Sequence, residues 1–184
     1  MAILAPKPDS HFLFMSLQED IQQKEFRSEY HKAVLNILHT HCYLVDKTND
    51  VLKKYDMTRQ QYNVLRILRG QLPGHASVNL IKERMVEKMS DTSRIVERLR
   101  VKELVTRVYS EDDKRRVDVT ITQKGLDLLT LMQPDMIHIE SFLHTLSESE
   151  TRTLNELLDR VRASAQSLAG RDTPDKKITT LASL

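Results

Sequence analysis

Asp91, Thr92, Ser93, Arg94 and Arg98 place a carboxylate, two hydroxyls and two guanidiniums within one short stretch. A little further on, Lys114, Arg115 and Arg116 set three cations beside Asp113. What these groups share is the capacity to hydrogen-bond and to pair with anions. A guanidinium can hold guanine O6 and N7 in two bonds, a contact that discriminates by about 1–3 kcal/mol. Other Lys and Arg side chains suit phosphate oxygens, which fix position and carry no sequence information. The chemistry these residues could do is the reading of a duplex groove.

Such groups are useful only if a rigid element presents them. Ser90–Leu104, SDTSRIVERLRVKEL, supplies one. Ser90 is expected to cap a helix, with Ile95, Val96, Leu99 and Leu104 on its inner face. Asp91, Thr92, Ser93, Arg94 and Arg98 then point outward. The period next changes from helix to strand: Val117, Val119 and Ile121 alternate with Asp118, Thr120 and Thr122, as in a half-buried strand. LVTRVY is its natural partner, and the polar SEDDKRR between them is an exposed tip. A polar-faced helix followed by a basic-tipped ribbon reads as a winged helix-turn-helix that binds DNA.

The bulk figures fit a small helical protein. The 184 residues suit one domain with extensions, and few Gly and Pro favour helix. Residues 79–122 hold eleven Lys/Arg against nine Asp/Glu, so the whole net charge of +2 falls on the proposed reading element. One cysteine excludes an intrachain disulfide framework and suits a reducing compartment. No apolar run reaches the length of a membrane span. The stretch MAILAPKPDSHFLFMSL lacks a basic leader, so a cytoplasmic location without a membrane partner is expected.

Residues 1–21 read as an irregular arm. A long helical pattern runs from about Gln22 to Tyr55, roughly 45–50 Å at the α-helical rise. It carries one stripe through Phe26, Tyr30, Ala33, Ile37, Leu44, Thr48 and Val51, and another through Leu35, Leu38, Cys42, Val45 and Leu52. Two stripes exceed what a small winged domain can cover, and a second copy of the chain is the simplest cover. Thr58 and Gln61 form a capping box that opens a helix ending at Gly70. Ser77 caps a short helix, VNLIKERMVEK, whose Leu80, Ile81 and Met85 face the helix near Ser90 across a turn at Lys88–Ser90. Thr122 caps a further helix with an irregularity expected near 130–134, ahead of Pro134. Ser147 and Glu150 form a second capping box before a helix bearing Leu154, Leu157, Leu158, Val161, Ala165 and Leu168, ended by Gly170. The fold class expected is mainly α (α+β). Residues 57–125 form the winged domain, 22–56 and 126–170 a helical dimerisation region, and 171–184 a flexible tail.

From about residue 26 to 168 the chain resembles the MarR family of transcription regulators. MTRQQYNVLRIL is similar to the family's second helix, DTSRIVERLRVKELVTR to its recognition helix and first wing strand, and EDDKRRVDVTITQKG to its wing and following helix. Asp113 and Arg115 stand at the family's wing Asp and Arg, with Lys114 in place of the first Arg. Glu103 stands where a glycine is common. The resemblance implies a homodimer whose terminal helices form a dimerisation base, with two winged domains on a pseudo-palindromic operator. It also implies a repressor or activator released by a small molecule or by thiol oxidation. An effector pocket, placed by the resemblance alone, would draw on His39, Cys42, Tyr43, Tyr62 and Arg66.

On this reading Arg115 enters a narrowed minor groove, where negative potential concentrates. Asp113 holds Arg115 or Arg116 in shape. Lys114, Arg116 and Arg84 take phosphates, as does Arg98 along the recognition helix. Competing readings are an adaptor that binds protein through the winged fold, and a redox sensor using Cys42. Cys42 is expected to be a buried thiol on an apolar stripe, the ordinary setting for a lone cysteine. His39, His41 and Cys42 lack a second ligand cluster at metal-binding spacing, with His138 and His144 the distant alternatives. No glycine-rich phosphate loop, nucleophile elbow or zinc-protease motif supports an enzyme, and no cofactor is expected.

Overall fold

A computed structural model of the chain describes residues 16–87, 91–109 and 117–171. The elements run α1 (Leu17–Asp20), α2 (Glu29–Lys53), α3 (Arg59–Arg69), β1 (Ala76–Ser77), α4 (Val78–Arg84), α5 (Thr92–Val101), β2 (Val105–Tyr109), β3 (Val117–Ile121), α6 (Gln123–Glu140) and α7 (Glu148–Arg171). The chain divides into two compact units inside α6, after Met132.

In the first unit the core gathers where α3, α4 and α5 pack around the sheet. Val64, Leu65 and Leu68 of α3, Ile81 of α4, and Val96 and Leu99 of α5 are buried there. Val105, Val119 and Ile121 line the inward face of the ribbon, the alternation expected of a half-buried strand. β2 and β3 are antiparallel, with Val105 opposite Ile121 and Arg107 opposite Val119. β1 adds a third strand on the other side of β3, pairing Ala76 with Val119 and Ser77 with Asp118. Two residues are too few for a period, so β1 has no signature in the sequence.

The caps explain where helices begin. Thr58 and Gln61 exchange bonds at 3.0 and 3.2 Å as a capping box, Ser77 accepts from the Leu80 amide, and Thr122 accepts from the Gly125 amide. Ser147 and Glu150 open α7 as a second capping box. Two expected starts move. α2 begins at Glu29, because Ser28 caps it by accepting from His31, so Gln22 to Arg27 stay outside the helix. Gln22 itself takes a left-handed backbone. The expected arm contains a short helix, α1, opened by Ser16 and Glu19 and anchored by the buried Leu17.

Two expected ends move as well. α4 stops at Arg84, because Met85 turns extended and buries its side chain. α6 continues unbroken across Pro134 to Glu140, and the interruption comes at the 3-10 turn Ser141–Leu143. Pro134 is exposed, so its ring meets solvent and not a packed neighbour. α7 runs to Arg171, one residue past Gly170. In the second unit α7 leaves Leu157 and Val161 exposed. Among the described residues no helix is long and apolar enough to cross a membrane.

Candidate nucleic-acid interface

α5 begins one residue later than the sequence implies. Asp91, not Ser90, is its N-cap, with Oδ1 accepting from the Arg94 amide at 3.2 Å. A carboxylate at this position also complements the positive end of the helix. Its other oxygen lies 3.2 Å from Arg94 Nε, so Asp91 both starts the helix and steadies the guanidinium. Arg94 is 81% exposed and projects from the leading turn. Ser93 and Arg98 are exposed too. Thr92 does not join them: it is only 4% exposed and packs inward. Thr92 and Val96 are four apart and share the inner face. Ser90, Asp113, Lys114, Arg115 and Arg116 lie outside the described residues.

The wing is fastened to α5 by residues that the sequence reading did not single out. Glu97 accepts from Arg100 at 2.8 and 3.1 Å and from Arg107 Nη1 of β2 at 3.0 Å. The Arg100 guanidinium, hydrogen-bonded to the carboxylate, holds Glu97 below the ordinary carboxylate range, and Arg107 adds to the effect. Glu97 and Arg100 were visible as an i,i+3 pair of opposite charge. The partnership with Arg107 depends on strand position and leaves no local trace. At the far end of α5, Lys102 Nζ reaches the Asp56 carboxylate at 2.8 Å. Behind the wing, His75 Nε2 lies 3.2 Å from Asp118 of β3. Arg84 is exposed at the end of α4, a place open to a phosphate.

A cleft of about 240 Å³ opens beside α3. His41 and Val45 of α2, Tyr62 and Asn63 of α3, and Met85 and Val86 beyond α4 are among its walls. Among the described residues Asn63 Oδ1 is buried and has no hydrogen-bond partner. Of the five residues expected at an effector pocket, only Tyr62 lines this cleft. His41, Leu44, Val45 and Thr48 share the facing side of α2 at helical spacing, which turns His39, Cys42 and Tyr43 elsewhere. His39 Nε2 lies 3.4 Å from Asp20, and Arg66 sits 5.9 Å from the Tyr62 ring centroid. Cys42 is exposed and not buried, because its side of α2 is left uncovered by the described residues. Among the described residues no three His, Cys, Asp or Glu gather where a metal ion could sit.

The model of the MarR family matches residues 55–116, from shortly before α3 to the residue before β3. The chain is 32% identical over 120 residues to the HTH-type transcriptional regulator MgrA of Staphylococcus aureus, covering 62% of this chain and 76% of that protein. The chain belongs to the MarR family. This MarR-family protein is also 29% identical over 122 residues to the HTH-type transcriptional regulator MhqR of Bacillus subtilis, covering 66% and 83% of the two chains. In fold it is similar to a MarR transcription factor from Planctomyces limnophilus, with a TM-score of 0.58, 26% identity and coverage of 73% and 98%. It is similar as well to S. aureus MepR in a DNA complex, with a TM-score of 0.65, 23% identity and coverage of 76% and 99%. The MarR-family relatives are transcription regulators and not enzymes.

Proposed function

We propose that this MarR-family protein is a ligand-responsive repressor that binds a pseudo-palindromic operator as a cytoplasmic homodimer. The observation that carries the reading is the leading turn of α5, where Arg94 stands exposed and is steadied by its own N-cap, Asp91. In this reading α5 enters the major groove. Arg94 takes a base edge, with Asp91 and Ser93 beside it, and Arg98 and Arg84 take phosphates. Thr92 acts from within, packing the helix. Ser90 would precede the helix, and Arg115, with Asp113, Lys114 and Arg116, would form the wing contact in the minor groove.

A dimer would set two copies of α5 roughly 34–36 Å apart, one helical turn of DNA. A small effector held in the cleft beside Tyr62 would favour a different spacing and so shift the population away from the binding state. The operator is tested by selecting duplexes from a random library and measuring their affinity by fluorescence anisotropy. Affinity should fall steeply with salt, as counterion release requires. Arg94→Ala should relax the sequence preference by roughly tenfold while leaving non-specific affinity nearly unchanged, the size expected for one bidentate contact. Binding that ignores both sequence and salt would favour the protein-binding adaptor instead.

A further inference from the structure

Glu87 lies between α4 and α5, in the segment that leads to the reading helix. Both of its carboxylate oxygens are engaged from the first turn of α3: Arg59 Nη2 lies 2.8 Å from Oε1, and Gln60 Nε2 donates to Oε2 at 2.6 Å. That turn is itself rigid. Thr58 and Gln61 lock it as a capping box, and Val64, Leu65 and Leu68 root the rest of α3 in the core. Glu87 is thus tied to a helix rooted in the core of the first unit, while Val86 beside it is 82% exposed.

We propose that Glu87 is a positioning residue for DNA recognition, a latch that sets where the leading turn of α5 stands. Only residues 88–90 separate Glu87 from Asp91, the cap of α5. An extended chain spans at most about 3.6 Å per residue, so fixing Glu87 confines the cap and the Arg94 it steadies. Lys102 and Asp56 hold the opposite end of α5, and Glu97 with Arg107 holds its flank. Glu87 supplies the anchor at the end that faces the bases. A partly exposed pair of this kind contributes little to global stability; its effect falls on position. Arg59, Gln60 and Glu87 also line the cleft, so a molecule bound there touches the latch directly.

The inference rests on the reading that α5 is presented to DNA, and the experiment separates the two. The full-length wild type first selects a duplex, and affinities are then measured for that duplex and for a scrambled one. Glu87→Ala should lower affinity for the selected duplex roughly tenfold, within the range by which remote residues modulate binding. Affinity for the scrambled duplex and the melting temperature should stay near wild type. Arg59→Glu and Glu87→Arg should each weaken selective binding, and the double variant should recover most of it by restoring the pair in reverse. Equal or tighter selective binding by Glu87→Ala, or a double variant no better than either single one, overturns the latch while the regulator reading stands. A wild type that binds no duplex removes that reading and the latch with it.

Discussion

Glu103 occupies a backbone position that most residues avoid. Its φ is 63°, in the left-handed region, immediately after the last residue of the α5 cap. The surrounding bonds explain why. The Glu103 amide donates to the Arg100 carbonyl at 2.9 Å and the Leu104 amide to the Leu99 carbonyl at 3.0 Å. Together these form a Schellman closure, with the buried Leu99 and Leu104 as its apolar contact. The glutamate gains a bond to Lys124 at 2.7 Å, and its carbonyl accepts from Thr122, which ties the closure to the start of α6. The ion pair is exposed and offsets little of the backbone cost. Glu103→Gly should therefore raise stability by about 0.5 kcal/mol, the left-handed penalty relieved less the added freedom of the unfolded chain. Glu103→Val should lower it by about 1–3 kcal/mol, since a β-branched residue is strained in this region. Thermal melts of the two variants check the order, and a glycine variant less stable than the valine variant would refute the account.

Among the elements, α5 and β2 are joined through Glu97 and Arg107, and that joint is sensitive to acid. Its carboxyl is held below the ordinary value of 4.5 by the Arg100 hydrogen bond first. Between the lowered value and the ordinary one the unfolded chain binds more protons than the folded one, so stability rises with pH there. The contribution is whole above about pH 4.5 and is lost as pH falls through the folded value. Melting temperatures of the wild type should exceed those of Glu97→Gln near neutral pH and converge with them as the pH drops below that point. A gap that stays constant with acid would show that the carboxylate charge plays no part. How legible such features were in the sequence follows from how local they are. Thr58, Ser77, Thr122 and Ser147 act within one turn of their own position, and each cap was readable. The antiparallel ribbon was readable from its alternation. Asp91 and Ser90 are adjacent cap formers that pattern alone ranks poorly, and the wrong one was preferred. β1, the clasp between Glu97 and Arg107, and the bonds of Glu87 join distant parts of the chain, and no local spacing announces them. The effector pocket was placed from resemblance; of its residues Tyr62 lines the cleft beside α3, and on α2 the cleft takes His41, Leu44, Val45 and Thr48, a face that resemblance alone does not fix.

For the whole molecule, the two stripes on α2 divide along its length. Towards the C-terminus Val51 and Leu52 are buried and Leu44, Val45 and Thr48 half-buried against the first unit. Towards the N-terminus Tyr30, Val34, Ile37 and Leu38 are exposed, Tyr30 by 87%. A contiguous exposed apolar patch of this kind marks a surface that binds something. An isologous pairing with a second copy, as proposed above, would cover it with the same residues from both sides. Cys42 follows Leu38 by four residues and so lies on that same face, which makes its thiol a reporter. Sedimentation at micromolar concentration should give a dimer, and Val34→Glu with Leu38→Glu should shift it toward monomer by placing like charges in the shared surface. Labelling of Cys42 by a thiol reagent should be slow in the wild type and fast in that variant. The variant should also lose affinity for a two-half-site duplex far more than for a single half-site, because only the dimer links two weak contacts into one strong one. A wild type that sediments as a stable monomer, or a Cys42 equally reactive in both proteins, would leave this face without a second copy.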